Sequence, residues 1–225
     1  PIVPHYLSGI ILNQGDRIMI DKIVGKTEVA LYGLAYSIGM LVQLFISGMN
    51  SALTPWMYSK IKKGDIRSMR KVLQLLSVVV VGIAVALMLI SPELVLIFGS
   101  PKYREAVYVI PPVAASVFFI FIYNILSMPQ FYYEKTQFLM AASMAAAGAN
   151  VVLNFIFIRL FGYIAAGYTT LACYMLYSVG HYIVSKRILV NEGIQENLMN
   201  PGFLLACSVC LLYTSDAADD TPCVD

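Results

Sequence analysis

Two charged residues, Asp16 and Arg17, lie side by side within a largely apolar segment, residues 10–20. A charged side chain at bilayer depth costs about 2.5–3.5 kcal/mol even on the most lenient scale, so it usually faces a bundle interior or an aqueous cavity. Adjacent residues point about 100° apart on a helix, so these two are not expected to pair. Either the helix surfaces here and both side chains extend to the interface, or they line a polar vestibule that Asn13 and Gln14 deepen.

Six more polar or charged side chains lie in apolar segments: Gln43, Asn50, Asn124, Asn150, Asn154 and Arg159. Gln43 and Asn50 are seven residues apart and so share a helical face, and Asn150 and Asn154 are one turn apart. The amides could line a cavity, or they could form interhelical hydrogen bonds, which contribute about 0.6–2 kcal/mol each. Both interpretations remain open from the sequence.

The composition indicates that helices in a membrane must position these groups. Of 225 residues, 59% are hydrophobic and 12% are charged, and the mean hydropathy is +0.75, whereas a soluble domain carries about 25% charged residues. About 20 apolar residues cross the roughly 30 Å of hydrocarbon. We therefore predict an all-α, polytopic transmembrane bundle with six complete spans and a truncated seventh that begins near Phe203. The six spans are predicted at residues 2–20, 29–53, 72–90, 106–128, 138–158 and 163–184.

Prolines and basic residues predict how the spans are connected. Pro55 and Pro92 are expected to end the second and third spans, and Pro111-Pro112 caps or bends the fourth after a short interfacial helix at 102–109. The connector 58–71 carries six Lys or Arg and is predicted to be cytoplasmic by the positive-inside rule. The first span then runs outward, and Asp16-Arg17 lies toward its external end.

The two ends of the chain are unusual. The start, Pro-Ile-Val-Pro, lacks an initiator Met and a basic n-region, so we interpret the chain as a fragment. Residues 210–225 resemble the translation of a transposase-type sequencing adapter, the alternative being a natural acidic tail. Without the four aspartates of this segment, nine acidic residues face 15 basic ones and the net charge rises from +2 to +6. We assign residues 1–209 to the membrane bundle.

Motifs for catalysis are absent from the sequence. It contains no glycine-rich phosphate loop, HExxH or nucleophile elbow, so we predict that the protein is not an enzyme. His5 and His181 have no partner at metal-ligand spacing, and Cys173 and Cys207 are expected to be packing residues. We expect no metal, no cofactor and no nucleic-acid partner.

A set of segments, in order, resembles Wzx-type oligosaccharide flippases. It comprises residues 16–20 (Asp-Arg-Ile-Met-Ile), 31–36 (Leu-Tyr-Gly-Leu-Ala-Tyr), 55–58 (Pro-Trp-Met-Tyr), 99–112, 131–136, 150–154 and 161–170. The resemblance implies the second bundle of a two-bundle exporter of the multidrug/oligosaccharidyl-lipid/polysaccharide superfamily. Such a protein would move a polyprenyl-pyrophosphate-linked oligosaccharide across the bacterial plasma membrane by alternating access, for surface polysaccharide biosynthesis.

The resemblance also implies roles for the polar residues. Arg17, and after it Arg159, would balance the pyrophosphate, the amides would contact the glycan, and Asp16 would hold a coupling cation, either H⁺ or Na⁺. Membrane lipid, a polysaccharide polymerase and glycosyltransferases are the implied partners. The alternatives are a cation-coupled multidrug exporter of the same superfamily and, less favoured, a polymerase or glycosyltransferase of the membrane, which would need a larger external loop.

Overall fold

The structure, a computed structural model, describes the backbone of residues 2–219 and their side chains except at 2, 4, 6 and 217–219. This part of the chain forms eight α-helices and one 3₁₀ helix, and it contains no β-strand. The helices are α1 (Ile2–Ile23), α2 (Lys26–Lys62), α3 (Ile66–Leu89), α4 (Ser91–Phe98), the 3₁₀ helix (Pro101–Val109), α5 (Ile110–Tyr132), α6 (Gln137–Phe161), α7 (Ala165–Asn191) and α8 (Pro201–Asp219). The predicted all-α helical bundle is confirmed.

Each predicted span coincides with a helix of the bundle. Four helical stretches are long and apolar enough to cross a membrane: α2, α3, α6 and the continuous stretch Pro101–Tyr132. Helices α1 and α7 have 22 and 27 residues, about 33 and 40 Å at 1.5 Å per residue, so their length also suffices. They are more polar because they bury polar side chains inside the bundle, among them Asp16 and Thr170.

Helix α5 forms the centre of the bundle. Every residue from Ile110 to Ile122 is buried, and α5 packs against α2, α3, α7 and α8. Two glycines allow this close packing: a Cβ added at Gly39 of α2 would lie 2.4 Å from Val113 Cγ1, and one at Gly167 of α7 would lie 2.9 Å from Pro112 Cγ. Prolines at the start of α5 cap the helix, since the first turn needs no backbone donor.

Three connectors meet at one end of the bundle, which we call the basic end: residues 63–65, 133–136 and 192–200. Arg70 Nη2 pairs with Glu196 at 3.2 Å and Lys135 Nζ pairs with Glu192 at 3.2 Å. The connectors around 24–25, 99–109 and 162–164 form the opposite end, where the Tyr163 hydroxyl lies 3.5 Å from Glu105 Oε2. Successive spans thus run in alternating directions, as the sequence predicted.

The predicted ends of the second span and of the connector 58–71 are wrong. Helix α2 continues through Pro55 to Lys62, and α3 already begins at Ile66. The helix persists because its inner face stays packed beyond the proline: Met57 is fully buried and Ile61 is 3% exposed. Burial of that face outweighs the single backbone hydrogen bond that Pro55 removes.

The last helix includes the segment interpreted as adapter-derived. Helix α8 extends to Asp219 and packs against α3 and α5, while residues 220–225 lie outside the described residues. The adapter origin of 210–225 therefore stays a prediction. Cys173 is buried and Cys207 half-buried, in keeping with packing roles.

Candidate functional site

The carboxylate of Asp16 lies at the centre of a polar cluster inside the bundle. Asp16 is fully buried and accepts hydrogen bonds from three other helices. The Tyr32 hydroxyl of α2 donates to Oδ2 at 2.6 Å, the Thr170 hydroxyl of α7 donates to Oδ2 at 2.9 Å, and Asn154 Nδ2 of α6 donates to Oδ1 at 2.6 Å. One side chain of α1 thereby binds α2, α6 and α7.

A second layer of hydrogen bonds holds these partners in place. Asn150 Nδ2 donates to Thr170 Oγ1 at 2.9 Å, and Asn154 Nδ2 also lies 3.1 Å from Asn150 Oδ1. The Thr169 hydroxyl donates to Asn154 Oδ1. We call the six residues of both layers the Asp16 cluster: Asp16, Tyr32, Asn150, Asn154, Thr169 and Thr170.

The helices position the cluster by simple spacing. Asn150 and Asn154 are one turn apart on α6 and present both amides to the same side. Thr169 and Thr170 lie in the second turn of α7, and Asp16 lies two turns before the end of α1. Because α1 packs mainly against α6, and α6 against α7, these positions converge in the half of the bundle nearer the opposite end.

The two explanations offered for Asp16-Arg17 from the sequence are corrected for Asp16. It neither reaches the interface nor lines an open vestibule, because three donors and complete burial place it in the interior. No ion pair joins it to Arg17, as helix geometry predicted. The Arg17 guanidinium instead lies over the Tyr36 ring, 5.0 Å from its centroid, and its buried Nε has no hydrogen-bond partner.

Gln43, Asn50 and Asn124 line a separate open pocket between α2 and α5, which we call the polar groove. Its volume is about 400 Å³, and its other polar lining comprises Ser47, Ser51, Thr54 and Tyr123. The shared helical face predicted for Gln43 and Asn50 is confirmed. Asn124 Nδ2 donates to Ile120 O at 2.8 Å, whereas the buried Asn50 Oδ1 has no partner, so the groove retains free hydrogen-bonding capacity.

Arg159 lies apart from both sites. It is exposed near the C-terminal end of α6, and its guanidinium carbon lies 3.8 Å from the centroid of the Phe155 ring. With Lys22 and Gly162 it lines a surface depression of about 450 Å³ between α1 and α6. The eight residues singled out from the sequence thus lie in four places. Asp16, Asn150 and Asn154 lie in the internal cluster, Gln43, Asn50 and Asn124 line the groove, Arg17 lies over the Tyr36 ring, and Arg159 lines this depression.

Several residues of these sites were missed in the sequence. Tyr32, Thr169 and Thr170 lie in segments quoted for the family resemblance, but nothing in their spacing indicated that they bind Asp16. A signal existed for Tyr123, since it directly precedes Asn124 in an apolar span. Its ring stacks against Tyr174 at 6.1 Å between centroids and contacts Tyr177 at 4.8 Å, which fixes one wall of the groove.

The chemistry of the Asp16 cluster suits a hard cation. It contains one carboxylate, two amides and three hydroxyls, groups whose oxygen atoms hard cations prefer as ligands, and here these groups hydrogen-bond to one another. The described residues contain no group of three or more His, Cys, Asp or Glu, so nothing there resembles a transition-metal site. In the described part of the chain no Lys or Arg donates to Asp16, and the carboxylate is held by neutral donors alone.

Comparison with known proteins agrees with this architecture. The sequence model of the MatE family matches residues 1–156, which cover α1 to α5 and most of α6. A Haemophilus influenzae protein called "Lsg locus putative protein 1" is 28% identical over 152 residues, 64% of this chain and 36% of that protein. A second protein of that organism, called "Uncharacterized membrane protein", is 31% identical over 134 residues, 56% of this chain and 32% of its own length.

The chain spans about a third of the length of these two curated relatives in the matched regions. No solved structure matches it.

Proposed function

The chain belongs to the MatE family, and from that premise we propose that it is part of a cation-coupled flippase for polyprenyl-pyrophosphate-linked oligosaccharides. In this proposal the six spans form one of two bundles of an exporter in the bacterial plasma membrane. The other bundle, in the remainder of the protein, supplies the facing wall of the substrate path. The connector between α2 and α3 faces the cytoplasm, on the strength of its basic residues.

The observation that carries the proposal is the polar groove, which opens between the middle parts of α2 and α5. Gln43 lies near the middle of α2, and Tyr123 and Asn124 lie near the middle of α5. Polar side chains on an open face would be costly against lipid, so such a face borders protein or an aqueous path. Hydroxyl and amide groups interleaved with an aromatic ring are the chemistry that recognises a glycan.

The positively charged side chain of Arg17 contacts Tyr36, which lines a narrow slot beside the groove. Tyr36 carries the Arg17 guanidinium on its ring and also lines, with Gln43, a narrow slot that extends from the groove. Arg17 is therefore the candidate in this bundle for balancing a pyrophosphate. Arg159 is placed on a different surface, between α1 and α6, and is the weaker candidate.

The coupling cation would bind the Asp16 cluster. The carboxylate, the amide oxygens of Asn150 and Asn154, and the Thr170 hydroxyl are the groups that would hold it. Oxygen ligands from amides and hydroxyls favour Na⁺ over H⁺, because a proton needs only the carboxylate. A bound Na⁺ would draw α1, α6 and α7 together and so stabilise one arrangement of the bundle over another.

The transport proposal is tested in a strain that carries the full-length gene as its only copy. Replacing Gln43, Asn50 and Asn124 together by Leu should abolish display of surface polysaccharide while the protein still accumulates in the membrane. Ser37→Leu, at an exposed polar position of α2 outside the groove, is the matched control and should preserve display. Normal display by the triple variant would refute the proposal. If display stays normal and the cells accumulate drug instead, the multidrug alternative is favoured.

The coupling proposal is tested with ²²Na⁺ on the purified full-length protein. We expect saturable binding to the wild type and none to Asp16→Asn, with Asp21→Asn as the control on the exposed side of the same helix. Equal binding by wild type and Asp16→Asn would refute the assignment of the site.

A further inference from the structure

A narrow slot lies between the polar groove and the Asp16 cluster. The groove and the slot share Gln43 and Ile120 as lining residues. At its other end the slot is lined by Thr170, whose hydroxyl donates to Asp16 Oδ2 at 2.9 Å. The open groove, the slot and the buried carboxylate therefore follow one another across the bundle, linked by shared lining residues and by Thr170.

We propose that this slot is the passage by which the coupling cation enters and leaves the Asp16 cluster from the groove. The inference rests on the proposed function, since it takes the cluster to be a cation site. It adds the route of the cation and the residues that control it, and it connects the cation site to the same space that would hold the substrate.

The slot is closed to a hydrated ion in this structure. Its volume is about 10 Å³, close to the minimum needed for one water molecule. The slot is narrow because α2 and α5 pack closely at Gly39, where an added Cβ would lie 2.4 Å from Val113 Cγ1. Passage of an ion requires the Val113 side chain or the two helices to move apart by a small distance.

The walls of the slot offer oxygen atoms to an ion that sheds water. Ser116, Tyr36 and Tyr174 line it together with Gln43. The Tyr36 and Tyr174 hydroxyls both point to Asn13 Oδ1, at 2.7 and 3.4 Å. Asn13 of α1 thus holds both tyrosine hydroxyls by hydrogen bonds. Because α1 also carries Asp16, a shift of α1 would break both hydrogen bonds together.

A passage controls rates, whereas the ligands of a site control affinity. Widening the slot should therefore speed binding and release of ²²Na⁺ by the same factor, without a change in Kd. We choose Val113→Ala to widen it and Ser116→Val to narrow it. Val80→Ala is the matched control, because Val80 is a fully buried valine on α3 that does not line the slot.

The experiment measures ²²Na⁺ binding at equilibrium and ²²Na⁺ release into excess unlabelled Na⁺ with the full-length protein in nanodiscs. We expect Val113→Ala to raise the release rate by at least about threefold, Ser116→Val to lower it by a similar factor, and both to keep the wild-type Kd. Wild-type rates in Ser116→Val and in a folded Val113→Ala would overturn the passage and leave the cation site intact. Absence of saturable ²²Na⁺ binding to the wild type would overturn the proposed function itself.

If Val113→Ala fails to fold, as judged by size-exclusion chromatography, Ser116→Val decides the question alone. A change in Kd with unchanged release rates would also contradict the proposal, because it would assign these residues to the site and not to its entrance.

Discussion

Removing the Asp16 carboxylate should destabilise the bundle by a predictable amount. Asp16→Ala removes the acceptor of three buried hydrogen bonds, which the Tyr32 hydroxyl, the Thr170 hydroxyl and Asn154 Nδ2 donate. Interhelical hydrogen bonds in membrane proteins average about 0.6 kcal/mol and reach about 1.7 kcal/mol. Three such bonds give an expected loss of about 2–5 kcal/mol in the free energy of unfolding.

Asp16→Asn should cost less than Asp16→Ala, because the amide keeps the shape and one acceptor oxygen. Both hydroxyls can rotate, so Tyr32 or Thr170 can accept from the new amide hydrogen atoms. We expect the order of stability to be wild type, Asp16→Asn and then Asp16→Ala.

The measurement is the free energy of unfolding of the purified full-length protein in mild detergent. It is obtained from a thermal or denaturant titration in Na⁺-free buffer. Asp21→Ala is the control, since Asp21 is exposed on the same helix and its removal should change stability by no more than about 0.5 kcal/mol. Asp16→Ala as stable as Asp21→Ala would refute the buried cluster, and with it the reasoning that assigns Asp16 to the interior.

Three further predictions follow from other contacts. Gly39→Leu should prevent close packing of α2 on α5 and lower the yield of folded protein in size-exclusion chromatography, because the added Cβ alone would lie 2.4 Å from Val113 Cγ1. Gly33→Leu on the same helix should leave this yield unchanged, because no atom lies within 4 Å of the added Cβ. Hydrogen bonding from Lys60 holds the pKa of Asp65 below its usual value, so the Asp65 carboxylate should stabilise the fold at neutral pH and lose this effect as the pH falls through the lowered pKa. The stabilities of wild type and Asp65→Asn should therefore differ at pH 7 and converge in acid. A difference that stays constant with pH would contradict this prediction. Arg17→Ala should reduce polysaccharide display in cells without reducing the amount of protein in the membrane, Arg17→Lys should restore part of it, and normal display by Arg17→Ala would demote Arg17 to a packing residue over Tyr36.

The sequence predicted the helices because their signal is local. Apolar segments of spanning length located each helix, and the residues flanking them located most helix ends. Pro55 is the instructive exception: its chemistry indicated a helix end, but burial of Met57 and Ile61 on the bundle keeps α2 helical to Lys62. Packing that comes from distant parts of the chain cannot be read from a proline and its neighbours.

The candidate site was predictable in its residues but not in its grouping. Asp16, Asn150 and Asn154 were each singled out as polar groups in apolar spans, yet Asp16 and Asn154 are separated by 138 positions and meet only because α1 packs against α6. Gln43 and Asn50 were placed together correctly because both lie on one helix. Helical periodicity specifies neighbours within a helix, whereas contacts between helices depend on the packing of the whole bundle.

The hydrogen bonds of Asp16 are compatible with a purely structural role, and what favours a cation site is their chemical type and their surroundings. A structural hub needs only donors, which Tyr32, Thr170 and Asn154 supply. The cluster also contains two amide oxygens one turn apart: Asn150 Oδ1 accepts from Asn154 Nδ2, and Asn154 Oδ1 accepts from the Thr169 hydroxyl. In the described part of the chain, no Lys or Arg donates to the neighbouring carboxylate. A slot beside the groove is lined by Thr170, which donates to Asp16. A hub gains nothing from such a slot, whereas an exchangeable cation requires one.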